Sequence, residues 1–252
     1  MPALTHINGS GNTVSFVLPD HSFITAFSAE ETALLNAFPL SIAGNNNTVQ
    51  IAVESREEIS AFLRRPGLYI FITGHNNTVR LGKIGYSVNE FLGITGLKIY
   101  IGGAANAWLD PNSPRCASGC TVDIADGCTF CGTRIYLQDD NSRVSVGKDC
   151  MFSWGIDVWC SDVHTITDLE GNPLNFGRSI EIGPRVWVGK DVKVGKNTRI
   201  LADSVIGWGS IVTRRFDETN VVIAGNPAKI IKRGIKWNPR DLQNYALWRN
   251  KK

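Results

Sequence analysis

The stretch IGPRVWVGKDVKVGKNTRILADSVIGWGSIV, residues 182–212, decides the fold. Ile182, Val188, Val194, Ile200, Ile206 and Val212 recur every six residues, and Gly183, Gly189, Gly195 and Gly207 follow four of them. Four residues after each of the first five aliphatics stand Val186, Val192, Thr198, Ser204 and Ser210, all small or β-branched. Helices repeat at 3.6 and exposed strands at 2, so a period of six belongs to neither. It fits a solenoid of short parallel strands. The aliphatic residue points inward, the small one turns the corner, and three hexads close one triangular coil. Stacked coils sit about 4.8 Å apart and leave open edges at the two ends alone.

Working backwards, Val146, Phe152 and Val158 keep the same register, with Gly147 and Cys150 in the glycine and small positions. Ile124, Cys128 and Phe130 repeat the theme, and LQDDNSR reads as a small insertion between the two blocks. His164 is next in the Val146 series, so it takes an aliphatic's place immediately before LEGNPLN, a polar segment expected to bulge out as a loop.

The N-terminal third is less regular. GSGNTV, GNNNTV and GHNNTV place Thr13, Thr48 and Thr78 in three similar turn-and-strand units. SREEISAFLRR, residues 55–65, reads as a helix with Ser55 as its N-cap and Glu58 three residues on. NPRDLQNYALWRN reads as a second helix, capped by Asn238 with Pro239 at its first position. The expected organisation is an irregular β region over residues 1–95 that caps the solenoid or forms a separate domain. The solenoid proper follows over 96–228, and a basic tail with a short helix over 229–252.

Composition bounds the function. The chain has 252 residues, 43% hydrophobic and 19% charged, with 25 glycines suited to many tight turns. A net charge of +3 gives no argument for nucleic acid, although eight Lys or Arg and one acid lie from Lys229 onward, a pattern that suits solvent or a phosphate-bearing ligand. The first residues lack a signal-peptide pattern and no apolar run is long enough to span a membrane. The expected compartment is the cytoplasm, where six cysteines stay reduced.

The hexads, followed by VVIAGNPAKIIKRG, resemble the hexapeptide-repeat acyltransferases, most of all the O-acetyltransferases of bacterial surface-polysaccharide synthesis. The resemblance runs from about Ile124 to Gly234 and is loose over the N-terminal third. It implies an all-β, left-handed parallel β-helix, a homotrimer, and acetyl-CoA bound in grooves between neighbouring prisms. It also implies acetyl transfer to a sugar hydroxyl in capsular, exopolysaccharide or lipopolysaccharide synthesis. N-acetylation of an amino sugar is the alternative, and a non-catalytic scaffold is the rival from another class.

By the same resemblance His164 matches the family's catalytic histidine and Trp187 the tryptophan of a following hexad. The pantetheine is expected near Gly189 and Gly209, with further donor contacts from Asn226 in the Gly-Asn-Pro-Ala motif. The phosphates are expected near Lys229, Lys232 and Arg233. Trp208 departs from the small residue usual between Gly207 and Gly209; it can stack on the donor or narrow its groove.

Chemistry agrees with this assignment. Attack of a hydroxyl on a thioester needs a proton acceptor, the work imidazole does best near neutrality. Asp162 is the expected partner of the other ring nitrogen and Asp168 the reserve. The competing role of His164 is filling a corner. Trp187 should project outward, toward the acceptor or a neighbouring subunit, and Trp154 and Trp159 offer either a sugar-stacking surface near His164 or simple packing. Cys116, Cys120, Cys128 and Cys131 have spacing compatible with zinc, but Cys128 occupies an inward position, so no metal is expected. Cys160 is a candidate acyl-carrying nucleophile that direct transfer does not need. A metal-dependent hydratase would require several histidines on adjacent coils. The other three, His6, His21 and His75, lie outside the regular hexads.

Overall fold

The structure, a computed structural model, describes residues 6–89, 94–102, 116–177 and 179–249. Three β-sheets form the faces of a left-handed prism. Face one stacks, in order, His6–Asn8, Leu40–Ala43, Leu68–Thr73, Ile94–Ile101, Gly132–Leu137, Ile156–Trp159, Lys193–Gly195 and Ile211–Val212. Face two runs from Thr13–Val17 through Thr48–Ala52, Thr78–Leu81, Thr121–Ile124, Arg143–Val146, Ser179–Ile182 and Thr198–Ile200 to Arg215–Phe216. Face three begins later, at Gly85–Tyr86, and continues through Thr129–Phe130, Met151–Phe152, Trp187–Val188 and Val205–Ile206. It ends in the antiparallel hairpin Val221–Gly225/Ala228–Arg233.

The hexad aliphatics fill the interior as their spacing requires: Ile182, Val188, Val194, Ile200, Ile206 and Val212 are all buried. A fully buried side chain of this kind contributes about 1.5–3 kcal/mol relative to exposure. The corner residues Val186, Val192, Thr198, Ser204 and Ser210 are equally buried. Their hydroxyls stay satisfied, since Thr198 donates to the Val212 carbonyl at 3.1 Å and Ser210 to that of Gly207 at 2.6 Å.

The residue before each small one, variable in the sequence pattern, carries the turn. Asp149, Arg185, Asp191, Asn197 and Asp203 all have φ between 51° and 60°, a left-handed conformation that Asn and Asp tolerate better than most residues. Gly183 answers a different demand, because a Cβ there would lie 2.9 Å from the Ala202 nitrogen of the next coil.

In the first two coils helices stand where face three would run. Ala29–Ala37 is entered through a capping box in which Ser28 Oγ accepts from Glu31 N and Glu31 Oε2 accepts in turn from Ser28 N. The second helix is Glu58–Arg64 with Glu57 as N-cap and no side-chain cap bond, so Ser55 does not cap it as expected. Phe62 of this helix meets Phe16 and Tyr86 edge to face, closing the end of the core. The Asn-rich units form the corner between faces one and two. There Asn12 Oδ1 accepts from Asn47 N, Asn47 Oδ1 from Asn77 N, and Asn77 Oδ1 from Cys120 N, each at 2.9–3.0 Å.

The C-terminal helix, Leu242–Arg249, starts later than Asn238 and Pro239 suggest. Asp241 accepts from Asn244 N in its first turn, while Asn238 caps a separate turn at Arg240. No helix among the described residues is long and apolar enough to cross a membrane.

Candidate active site

Between faces one and two the chain leaves the prism after Trp159 and returns at Ser179. Cys160 and Ser161 are the last buried residues, and Asp162, Val163 and His164 are exposed. His164 therefore does not take the inward place that its hexad position predicts. The polar run after it cannot pay for burial, so the departure begins two residues earlier.

The exit is a tight turn in which His164 N–H donates to the Asp162 carbonyl at 2.6 Å and Val163 sits at φ 63°. A β-branched residue in the left-handed region is unfavourable, and such strain is held where a side chain must be aimed. Asn175 secures the returning limb. Its Nδ2 donates to the His164 carbonyl and to Asp162 Oδ2, both at 2.8 Å, and its Oδ1 accepts from Ile166 N.

Asp162 does not hold the imidazole as the sequence suggests. Its carboxylate meets Lys196 Nζ at 2.6 Å as well as Asn175. The hydrogen bond from Lys196 holds the Asp162 carboxyl below the usual carboxylate range. Lys196 also donates to the Asn175 carbonyl. Asp168 is occupied too, accepting from the backbone and side chain of Asn172 at the loop's far turn. Both acids are positioning the loop.

Loop and prism enclose a cleft of about 430 Å³ whose lining includes His164, Asp162, Asn175, Gln138, Asp139 and Asp140. Ligand sites are commonly clefts of roughly this size. Asp139, Asp140, Asn175 and Lys196 were not singled out by sequence reasoning; the signal available was LQDDNSR, whose acids close the corner one coil below. Cys160 is buried under this corner, and burial pushes its thiol up to about 11. Thiolate is the nucleophilic form, so burial works against an acyl-cysteine at this position.

The other predicted residues gather elsewhere. Gly189 and Gly209 lie in corners between faces three and one. The Trp208 indole lies across Gly189, with its Cδ1 2.7 Å from where a Cβ would stand, and Trp208 is 72% exposed. Gly225 N donates to Ser210 Oγ at 3.2 Å, which sets the Asn226 turn on the same corner. Trp154 belongs here rather than beside His164: Lys190 Nζ lies 5.9 Å from its ring centroid, and its carbonyl accepts from Asp191 N.

Trp187 projects from face three, half-buried beneath the tail. Trp237 lies 6.1 Å away and donates its Nε1–H to the Arg185 carbonyl at 2.7 Å. Within one chain, therefore, His164 and Trp187 are not brought together.

Of the three tail cations, Lys229 and Arg233 line a cleft of about 360 Å³ with Arg214, Arg215, Phe216 and Glu218. Lys232 is not part of that lining. Arg233 is already bound by Glu218 through bonds of 2.6 and 2.9 Å. Beside the expected Lys229 this cleft holds Arg214, whose guanidinium lies 5.1 Å from the Phe216 ring centroid and which the sequence pattern did not point to. Among the described residues no group of His, Cys, Asp and Glu is placed to hold a metal ion. Cys128 and Cys150 instead donate to the Gly147 and Gly183 carbonyls at 3.1 Å.

No protein-family model matches the chain. It is 30% identical over 197 residues to the polysialic acid O-acetyltransferase of Neisseria meningitidis, covering 77% of this chain and 86% of that protein. The solved structure of a polysialic-acid-specific acetyltransferase, NeuO, superposes with a TM-score of 0.66 at 27% identity, over 98% of this chain and 97% of the other. That of the polysialic acid O-acetyltransferase OatWY gives a TM-score of 0.65 at 23% identity over 98% and 99%, a likeness of fold. Prism, loop and relatives agree, and the chain is an acetyltransferase that belongs to the left-handed β-helix O-acetyltransferase family in which the polysialic acid O-acetyltransferases stand.

Proposed function

We propose that the protein transfers an acetyl group from acetyl-CoA to a sugar hydroxyl of a bacterial surface polysaccharide, with His164 as general base. The observation that carries this reading is the strained, doubly anchored turn that presents His164 at the mouth of a cleft of about 430 Å³. His164 takes the hydroxyl proton as the oxygen attacks the thioester carbonyl. The C–S bond then breaks, and the proton passes to the departing CoA sulphur. The relatives act on polysialic acid by name, so an anionic sugar polymer is the first acceptor to try.

The donor binds along the corner of Gly189, Trp208, Gly209 and Asn226, with its phosphates toward Lys229 and Arg214. Lys232 and Arg233 have weaker claims, the one for its position and the other for its partner Glu218. The donor corner and the His164 loop stand at opposite edges of face one, a separation of roughly five residues at ~3.3 Å each. A second copy bridging that gap completes the site, and the working unit is the homotrimer that the family resemblance implies. Loop residues Val163, Ile166, Leu169, Leu174 and Phe176 are all exposed, a concentration of apolar surface suited to a neighbouring prism.

The setting is cytoplasmic, where acetyl-CoA is made and where thiols remain reduced; no disulfide joins the described cysteines. The test is a screen of sialic acid oligomers, neutral oligosaccharides and amino sugars with acetyl-CoA, following thiol release. Thiol release with ester formation on a hydroxyl is expected. Acetylation confined to amino sugars, or no transfer together with no acetyl-CoA binding, would overturn the reading in favour of an N-acetyltransferase or a scaffold.

A further inference from the structure

Four rings stack up the outside of face one. Phe71, Tyr100, Tyr136 and Trp159 occupy one register position in successive coils. Their centroids are 5.3, 4.9 and 4.5 Å apart with interplanar angles of 9°, 9° and 24°. In such a ladder each ring covers the face of the next, so one flat face is left at the end. The next position above Trp159 is Gly195, which has no side chain to continue the stack. The atoms nearest to where its Cβ would stand belong to Thr213 and Val212. Trp159 accordingly remains 39% exposed although Tyr136 covers its other face.

The missing rung is one inter-strand step, about 4.8 Å tall. Its floor is an indole face and its roof is the Thr213 methyl. Lys193, held by Asp157 at 2.7 Å, stands on the same face to one side. Lys196 follows Gly195 directly, and its side chain reaches the loop of His164 through Asp162. The slot thus adjoins the root of that loop, with polar groups on both flanks.

We infer that this slot is an acceptor subsite, in which the apolar face of one pyranose ring stacks on Trp159 while ring substituents reach the charged pairs at its sides. The inference rests on acetyl transfer to a sugar. A puckered ring fills a one-rung gap, and its C–H groups meet the negative face of the indole. Trp159 is a specificity-determining residue in this assignment, since it fixes which part of the polymer lies before His164 and takes no part in the proton transfer.

The experiment uses the full chain with acetyl-CoA and two probes, oligosialic acid and a neutral glucan oligosaccharide. Trp159→Ala should raise the acceptor KM about three- to tenfold, the worth of one aromatic stack, with the KM for acetyl-CoA unmoved. Trp159→Phe should restore much of the loss. Gly195→Tyr keeps the ladder and fills the slot, so it should raise the acceptor KM at least as much. An unchanged acceptor KM in Gly195→Tyr, in a parent that does transfer, overturns the subsite alone. Dissociation of the assembly by Gly195→Tyr with that KM unchanged would likewise overturn it and give the slot to a second copy. Failure of the parent to acetylate either probe would instead sink the underlying reading, and the subsite with it.

Discussion

Lys196 Nζ lies 2.6 Å from Asp162 Oδ2, so a residue of the regular hexads ties down the loop that carries His164. The Asp162 carboxyl is held below its ordinary value by this bond. The native state therefore takes up that proton at lower pH than the unfolded chain. The contribution is complete above the unfolded value of about 4 and is lost as pH falls through the lower folded value. Asp162→Asn should mimic the acid state at neutral pH. It should speed proteolysis within residues 162–177 and lower turnover by about tenfold or less, because orientation is loosened while the base remains. Cleavage and turnover at the parent rates would remove the anchoring role.

Asn77 makes a sharper stability prediction. It is fully buried, with Oδ1 accepting from Cys120 N at 2.9 Å and Nδ2 donating to the Ala117 carbonyl at 2.9 Å. Asn77→Ala would leave both backbone groups unpaired in the core, at about 1–3 kcal/mol each. Urea unfolding should show a loss of about 2–4 kcal/mol at unchanged m. A loss under 1 kcal/mol would mean that the corner relaxes around the cavity.

How much of this was legible in the sequence follows from where the period survives. From Ile182 to Val212 each coil is three uninterrupted hexads, and the burial of every predicted inward residue follows. In the first coils helices replace face three, stretching the repeat to 35 and then 30 residues between corner asparagines. No six-residue pattern can show through that. The signal that survives there is Ser28–Glu31, a capping box. The place of His164 at the root of a loop was legible because a polar run follows it. Asp139 and Asp140 were not, since they reach the same cleft only through stacking of coils.

Donor binding should depend on Lys229 and Arg214, which share a cleft. Replacing both by Ala should weaken acetyl-CoA binding, each exposed cation being worth about 1 kcal/mol or less. Lys232→Ala should cost less than Lys229→Ala. Calorimetry giving the parent Kd for the double variant would move the phosphates elsewhere, with Trp208 the next place to look.

Assembly should depend on the apolar loop. Leu174→Ser with Phe176→Ser changes residues that are 60% and 70% exposed, so the monomer's core is untouched. Light scattering should find the parent trimeric and the variant shifted toward monomer with activity lost. A fully active monomer would contradict the shared site.

The central claim is that His164 removes the acceptor's proton. The direct measurement is the turnover of His164→Ala beside the parent at saturating acetyl-CoA and acceptor, with trimer content and acetyl-CoA affinity measured on the same samples. Turnover should fall by about 10²–10⁴-fold, the usual worth of a positioned base, while the donor still binds through its own corner. A folded, trimeric His164→Ala protein that transfers acetyl at the parent rate would contradict the account.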